Sequence, residues 1–472
     1  NSDEGGLFIG GRANAYKKSE GIGVHVKDAQ VDFDIKNGLF VQANGVIEAP
    51  EANEQSQGVG REPEANVSMK AVGFYGENGS SQIKAKYVSS EASNRVAADS
   101  TEKLKEETLG MYLNKYTINI LAKENIEISS LIPTENMLAG EKTAQGMVLS
   151  NRSKASLHAD GDISISAAVG YGAMITRVMP AISVGHVNGI HADSSELDMQ
   201  AGGKIIIKAT INGYTSNNNL AAINAKDSKI NMKAVRGIQI AAVNKDGEGF
   251  AQTDKVYAIV ADNQSEITLD SGSSVIDIRG NVNVSDNSTL KLSGQREIDD
   301  IGIYINGNVN VSKNSTLKLS GVTSIVSGIM RAATPVGNLN IDNSKLVVDG
   351  FTGISGTTTF ENAKIYLYDD NNTSEDLDMP GNNELFLRAD SSKPAGDITR
   401  LELNSDVLII MSREMTGDGK FDVNIFDKGM KNGYGMSADG TKGLDNPITV
   451  LYNSNPGTNP DFASLINSVK MN

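Results

Sequence analysis

The sequence predicts an all-β fold, a right-handed parallel β-helix, because a short segment of alternating residues recurs along the chain. Residues 280–294 and 307–321 are identical except for Asp286 in the first and Lys313 in the second, at an offset of 27 residues. A looser copy follows at 337–350. Self-similarity at a period of roughly 20–50 residues is typical of stacked repeats.

The residues inside the repeat predict strands rather than helices. Apolar residues alternate with polar ones, which is the period of a β-strand, and these are Val282, Val284, Leu290 and Leu292. Short strands with Gly and Asn at the corners are expected to coil, each turn lying about 4.8 Å from the next. We therefore expect the apolar residues to point inward and to form a continuous core.

The same phrase extends well beyond the near-identical pair. A small or apolar start, an Asx/Ser turn and two alternating strands recur at 23–44, 146–168, 189–210, 222–243, 258–279, 302–321 and 328–350. These copies predict a β-helix over residues 1–380. The texture changes after that point, which predicts a separate C-terminal region at 381–472.

Composition narrows the class of protein. Hydrophobic residues make up 39% of the 472 residues, too many for a disordered chain, while aromatics make up 5% and Trp is absent. The absence of Cys favours a chain that is exported through an oxidising compartment. No apolar run of about 18 residues predicts a membrane span, and a net charge of −15 argues against nucleic acid as a partner.

Stacking of the repeats predicts ladders of like side chains. Asn281 is expected over Asn308 and Asn338, and Asn283 over Asn310 and Asn340, as in amide ladders. Asp286 should meet Lys313 on the next coil, whereas Lys291 should lie over Lys318 without a compensating charge. We interpret these ladders as scaffold.

Three stretches interrupt the repeat. Residues 48–66 contain two prolines among Glu, Gln and Gly and predict a loop. Residues 97–110 predict a helix, capped by Asp99 with Glu102 and stopped by Gly110. Residues 169–187 predict a buried corner or a long side loop. Because loops commonly carry binding function, the segments 48–66 and 97–110 are the predicted contact sites.

The C-terminal region resembles the end of autotransporter passengers of Gram-negative bacteria, of the pertactin-like and self-associating adhesin type. Residues 416–423 (TGDGKFDV) and 444–451 (LDNPITVL) carry the resemblance, in which the matching positions are Gly417, Gly419, Phe421, Asp445, Ile448 and Val450. Pro447 and the exit at 453–456 depart from the pattern. The resemblance implies a C-terminal cap, or autochaperone, and a place at the bacterial surface, either tethered to the outer membrane through a β-barrel outside this sequence or released.

Catalytic motifs are weak throughout the sequence. The string 269–273 (LDSGS) is similar to a serine-protease nucleophile motif, but Leu269 replaces its glycine and the string lies inside a repeat. His186 and His191 lack the i, i+4 spacing of a helical metal pair, and His25 and His158 lie in strand patterns. The acidic pairs Asp160/Asp162, Asp299/Asp300 and Asp369/Asp370 are poor calcium sites, because Ca²⁺ takes six to eight oxygens. The sequence predicts no catalytic residue, metal or cofactor.

We therefore expect a non-enzymatic cell-surface adhesin that mediates attachment, aggregation or biofilm formation. Its partner would be a protein or glycan receptor on a host or bacterial cell, or another copy of the chain, with no nucleic acid and no membrane insertion. A polysaccharide-degrading or polysaccharide-binding enzyme on the same scaffold is the alternative, and a rigid surface spacer is a third reading.

Overall fold

The computed structural model describes residues 6–15, 18–47, 67–96, 104–133, 141–170, 183–212, 220–246, 249–250, 256–294, 301–321, 323–326, 337–349, 352–354, 358–361, 363–368, 385–388, 401–404, 407–412, 425–426 and 448–453. These residues form an all-β protein without helices. The chain divides into two compact units: unit 1 is residues 1–234 with 239–258, and unit 2 is residues 235–238 with 259–472. No helix long and apolar enough to cross a membrane occurs among the described residues.

Unit 1 is built from long strands. They are β1 Leu7–Ala15, β2 Lys18–Lys27, β3 Gln30–Asp34, β4 Gly38–Ile47, β5 Val67–Glu77, β6 Ser80–Ala85, β7 Tyr87–Val96, β8 Leu104–Asn114, β9 Thr117–Ala122, β10 Ile126–Ile132, β11 Glu141–Ser150, β12 Lys154–Ala159, β13 Ile163–Val169, β14 Ser183–Asp193, β15 Glu196–Ala201, β16 Ile205–Asn212, β17 Leu220–Lys226, β18 Lys229–Ala234, β19 Ile238–Asp246, β20 Gly249–Phe250 and β21 Val256–Asp262, the last of which extends into unit 2.

Unit 2 is built from shorter strands. They are β22 Glu266–Asp270, β23 Ile276–Arg279, β24 Asn281–Val284, β25 Thr289–Ser293, β26 Ile303–Asn306, β27 Val309–Val311, β28 Thr316–Ser320, β29 Thr323–Val326, β30 Leu339–Asp342, β31 Lys345–Asp349, β32 Thr352–Ile354, β33 Thr358–Glu361, β34 Lys364–Tyr368, β35 Leu385–Arg388, β36 Leu401–Asn404, β37 Val407–Ser412, β38 Ile425–Phe426 and β39 Ile448–Asn453.

Successive strands go in turn to three parallel sheets, which we call A, B and C. In unit 1, sheet A has the order β1-β4-β7-β10-β13-β16-β19, sheet B β2-β5-β8-β11-β14-β17 and sheet C β3-β6-β9-β12-β15-β18, and β20 pairs antiparallel with β19. In unit 2, sheet A has β23-β26-β29-β32-β35-β38, sheet B β24-β27-β30-β33-β36 and sheet C β22-β25-β28-β31-β34-β37-β39. A chain that places every third strand beside the last is a parallel β-helix, as the sequence predicts.

The near-identical repeat stacks in register at its period of 27 residues. Val282 pairs with Val309, and Leu290 pairs with Leu317. The predicted inward residues Val282, Val284, Leu290 and Leu292 are all buried. The alternating pattern therefore placed the core correctly, because a parallel sheet with one face inside the coil buries every second side chain.

Serine side chains hold the corner between sheets B and C. The residue before each corner serine adopts a left-handed backbone, as at Ser194, Asp227 and Asn343, and this turn leaves backbone groups without a strand partner. In unit 1 the backbone N–H of Ser195 donates to Oγ of Ser228 at 3.0 Å, and in unit 2 that of Ser315 donates to Oγ of Ser344 at 3.1 Å. Each coil thus completes the hydrogen bonding of its neighbour.

The predicted ladders form in unit 2, with one correction. The backbone N–H of Asn308 donates to Oδ1 of Asn281 at 3.0 Å, and that of Asn338 donates to Oδ1 of Asn308 at 3.1 Å. The second asparagine column, 283–310–340, is also in register. Lys313 and Asp286 form an ion pair at 3.0 Å. The prediction that Lys291 lacks a compensating charge was wrong, because Glu266 on the preceding coil lies 2.7 Å from its Nζ.

The helix predicted at 97–110 was wrong for the residues that the structure describes. Residues 104–110 belong to β8, which pairs with β5 and β11. The Lys- and Glu-rich sequence favours a helix locally, but Glu106 and Thr108 point into the coil, while Lys105 and Glu107 point out. Pairing on both edges overrides the weak local preference. Residues 97–103 lie outside the described residues.

The remaining interruptions fall mostly outside the described residues. The predicted loop at 48–66 does, as do 171–182 of the stretch 169–187, whose end begins β14. The C-terminal positions Gly417, Gly419, Phe421 and Asp445 are also outside them. Ile448 and Val450 lie in β39, which pairs in parallel with β37 in sheet C.

Candidate binding surface on sheet B

The long connections of unit 1 occur at one corner of the coil. Residues 48–66, 97–103, 133–140, 170–182 and 213–219 each join a strand of sheet A to the next strand of sheet B, and they hold seven to nineteen residues. The connections from B to C and from C to A hold three residues or fewer in this unit. Insertions are therefore confined to the corner where sheet A ends and sheet B begins.

Polar side chains fill the inside of this corner. Thr108 Oγ1 and Ser130 Oγ lie 2.7 Å apart, Ser90 Oγ donates to the carbonyl of Gly110 at 2.7 Å, and Asn94 Nδ2 donates to the carbonyl of Glu107 at 3.2 Å. Each of these bonds joins a side chain of sheet A to sheet B. They bind the two sheets together beneath the insertions.

A buried ion pair lies in the same corner. Lys142 Nζ donates to Oε1 of Glu106, and the two residues are in register on adjacent coils of sheet B. Both side chains are almost fully buried, at 2% and 0% exposure. Burial raises the pKa of Glu106, an effect that outweighs the lowering by Lys142. Such a pair adds little net stability but disfavours any other register of the two strands.

A column of glycines interrupts the strands of sheet B. It comprises Gly23, Gly73, Gly110, Gly146 and Gly189. A Cβ on Gly110 would lie 2.6 Å from the carbonyl oxygen of Gly146 and 2.7 Å from that of Ser129 in sheet A. The alternation of buried and outward residues shifts by one at each glycine, so that Phe74 is buried and Tyr75 faces outward. This is a bulge, and bulges bend a strand.

The bend creates an apolar cluster on the outer face of sheet B, which we call the outer cluster. Val72, Leu109 and Val148 form its buried part, and Ile22, Tyr75 and Tyr112 pack against them. Val72 and Leu109 have 0% and 1% exposure although they point away from the coil interior. Residues before and after the glycine column therefore meet on a concave outer face.

Aromatic rings run across the outer cluster from coil to coil. His25, Tyr75 and Tyr112 occupy one register position on successive strands. Tyr75 and Tyr112 are stacked with centroids 5.0 Å apart, and His25 meets Tyr75 edge-on at 4.6 Å. Lys70 Nζ lies 5.9 Å from the ring centre of Tyr112 and 3.2 Å from Glu107. The rings contact one another with their faces, so their edges and hydroxyl groups face outward.

The same register positions become polar on the next coils. Gln145 and Asn188 follow Leu109, and His191 and Asn224 follow Val148. Asn188 is 2% exposed, and its Nδ2 has no hydrogen-bond partner in the described part of the chain. His191 Nδ1 is likewise buried and unpaired there. Burial lowers the pKa of His191, which Asp193 partly opposes, so the ring is neutral at pH 7.

The residues singled out from the sequence lie apart from one another. His25 and His191 lie on sheet B, His158 lies on sheet C with Nε2 2.9 Å from Ser156, and His186 is exposed on β14. Asp162 accepts the backbone N–H of Lys204 at 2.7 Å and so holds a corner. Ser271 is buried and donates to the carbonyl of Ser274 at 2.5 Å. Among the described residues, no three His, Asp or Glu side chains group as metal ligands.

Sequence reasoning missed the outer cluster, although a signal was present. Each member of the glycine column is followed by an apolar residue and then by His, Tyr or Val. The predicted repeats began at Gly23, Gly146 and Gly189 but omitted Gly73 and Gly110, because the latter was interpreted as a helix stop. Aligning all five glycines would have placed His25, Tyr75 and Tyr112 on one line.

Comparisons with known proteins give no relative to this chain. Neither the protein-family models, nor the curated protein sequences, nor the solved structures contain a match.

Proposed function

We propose that this chain is a non-enzymatic cell-surface adhesin, the passenger domain of a bacterial autotransporter, that mediates attachment, aggregation or biofilm formation. The observation that supports this most is the confinement of insertions to one corner of unit 1. Five connections of seven to nineteen residues leave from strands that are in register with their neighbours. Segments distant in sequence are therefore presented side by side.

A repeated scaffold suits such a role. Binding to a large surface is a sum of weak contacts, and contacts held on one rigid body act together. Each coil contacts its neighbours, so insertions at the corner alter the surface without disturbing the core. The C-terminal resemblance to autotransporter passengers supports the same function and a location at the bacterial surface. The partner in this proposal is a protein or glycan receptor on another cell.

The test is display of the chain on cells that lack other adhesins, scoring settling and attachment to host cells. One variant replaces 48–66 and 97–103 with Gly-Ser segments of equal length, which we expect to reduce attachment. The matched control replaces 295–300, a connection between sheets C and A of unit 2. Circular dichroism checks that both variants keep their β-structure.

Two results would contradict the adhesin. The first is no settling or attachment at any level of display. The second is depolymerisation of a polysaccharide by the purified chain, which would instead support the carbohydrate-active alternative.

A further inference from the structure

We propose that the outer face of sheet B in unit 1 binds a neutral saccharide through Asn188 and His191, beside the aromatic row of the outer cluster. The inference rests on the proposed adhesive function, to which it adds the chemical class of the receptor.

The first argument is the cost of the unpaired groups. Asn188 Nδ2 and His191 Nδ1 are buried without a hydrogen-bond partner in the part of the chain that the structure describes. Leaving a buried polar group unpaired costs about 1–3 kcal/mol. Both residues flank Gly189 and face outward, because Val187 and Ile190 take the inward positions. A ligand on this face would therefore reach both groups.

The second argument is the chemistry of the two groups. An amide N–H donates, and a neutral imidazole nitrogen either donates or accepts, depending on its tautomer. A hydroxyl group can satisfy both kinds of partner. A saccharide carries many hydroxyl groups close together and has apolar C–H faces as well.

The third argument is the neighbourhood. Along the same register positions lie Leu109 and Gln145 on one side of the glycine column, and Tyr112 and Val148 on the other. Ligand sites combine apolar and aromatic walls with a few placed polar groups. The face offers this combination over several adjacent coils, which suits an extended chain of sugar units.

Charge decides between neutral and acidic saccharides. Lys70 is paired with Glu107 at 3.2 Å, and Lys105 is paired with Glu141 at 3.6 Å. Asp193 lies in register beside Lys226. An acidic saccharide would have to compete with these carboxylates, whereas a neutral one needs only hydrogen bonds. The face therefore fits a neutral oligosaccharide.

The test uses the whole chain and a defined panel of ligands. Calorimetric titration with cellohexaose, maltohexaose and N-acetylchitohexaose should detect binding to at least one, and hexagalacturonate should bind less well. Asn188→Leu and His191→Phe keep the shape of the face but remove the polar atoms. Each should weaken binding about tenfold or more, since one hydrogen bond to a neutral group is worth roughly 1 kcal/mol or more.

The matched control is Asn119→Leu. Asn119 lies on β9 in sheet C and also carries a buried oxygen without a partner among the described residues. This variant should bind the oligosaccharide like the parent. Urea unfolding separates binding from folding: Asn188→Leu should unfold no more easily than the parent, because it removes an unpaired buried group.

Three results would overturn the proposal. They are the absence of binding to any neutral hexasaccharide at about 10 mM, preferential binding of hexagalacturonate, and binding that Asn188→Leu and His191→Phe leave unchanged. Adhesion assays keep the two proposals distinct. Attachment that survives periodate treatment of the target cells and both substitutions would retain the adhesin but exclude this saccharide site.

Discussion

At the scale of single residues, buried polar groups carry most of what is unusual in this chain. A coil interior that is mainly aliphatic contains the ion pair of Glu106 and Lys142. Its outer face holds Asn188 and His191 with unpaired atoms. Desolvation makes each of these groups costly unless it is paired, so each is expected to have a role beyond filling space.

The ion pair leads to a prediction about stability. Lys142→Met leaves Glu106 buried without its partner, and we expect the free energy of unfolding to fall by roughly 3–5 kcal/mol. Lys142→Met combined with Glu106→Leu removes both charges, and we expect stability equal to or above that of the parent. Urea unfolding followed by circular dichroism measures both variants. A double variant as unstable as the single one would show that the pair stabilises the coil.

His191 leads to a prediction about pH. Its pKa is lowered in the folded chain by burial, from an ordinary value of 6.5. The unfolded chain therefore binds the proton more readily, and the stabilisation is present above pH 6.5 and is lost as the pH falls below it. We expect His191→Phe to reduce the loss of stability between pH 7.5 and 5, measured by urea unfolding.

The control for the pH prediction is Asn188→Leu, which lies on the same face but carries no titrating group. It should keep the pH dependence of the parent. Identical slopes for the parent and His191→Phe would mean that His191 does not contribute to acid sensitivity.

At the scale of elements, the glycine column shapes sheet B. Each glycine brings its strand so close to the next coil and to sheet A that a side chain has no room. The resulting bulge turns Tyr75 and Tyr112 outward, next to Val72 and Leu109. The outer face is therefore a consequence of backbone packing inside the coil.

Substitution of Gly110 tests this role. In Gly110→Ala the new Cβ would approach the carbonyls of Gly146 and Ser129 at 2.6 and 2.7 Å, and we expect a loss of about 1–3 kcal/mol. Position 222 follows Gly189 along the column and already carries alanine. Ala222→Gly should cost only about 0.5–1 kcal/mol, through backbone entropy. Equal losses in thermal unfolding for the two variants would contradict the close packing.

At the scale of the whole molecule, the coil is modular. Three strands in three sheets repeat, and the partners of a residue lie one coil before and one coil after it. Because stability in such a fold is a sum over neighbouring coils, a coil can be gained or lost without a change of fold.

Removal of one period tests the modularity. Deletion of 280–306 takes out 27 residues and leaves 307–321 in place of its near-copy 280–294. We expect the β-structure seen by circular dichroism to persist, with somewhat lower stability. Deletion of 280–305 leaves one extra residue and shifts the register, which would turn inward side chains outward. The control should misfold, and equal behaviour of the two deletions would contradict the stacked register.

The sequence alone determined the class of fold, the inward residues and the ladders of unit 2. These follow from the two-residue alternation and from the period of 27, which are local properties of the chain. Val282 over Val309 and Asn281 over Asn308 could be read directly from the repeat.

Only the tertiary structure decided the rest. A helix was expected at 97–110, yet 104–110 form a strand, because Glu106 is paired with Lys142 on another coil, 36 residues away in sequence. The compensation of Lys291 by Glu266 and the gathering of His25, Tyr75 and Tyr112 likewise depend on which strands become neighbours. The outer face of sheet B could not be predicted, because it requires the register of coils whose connections differ in length.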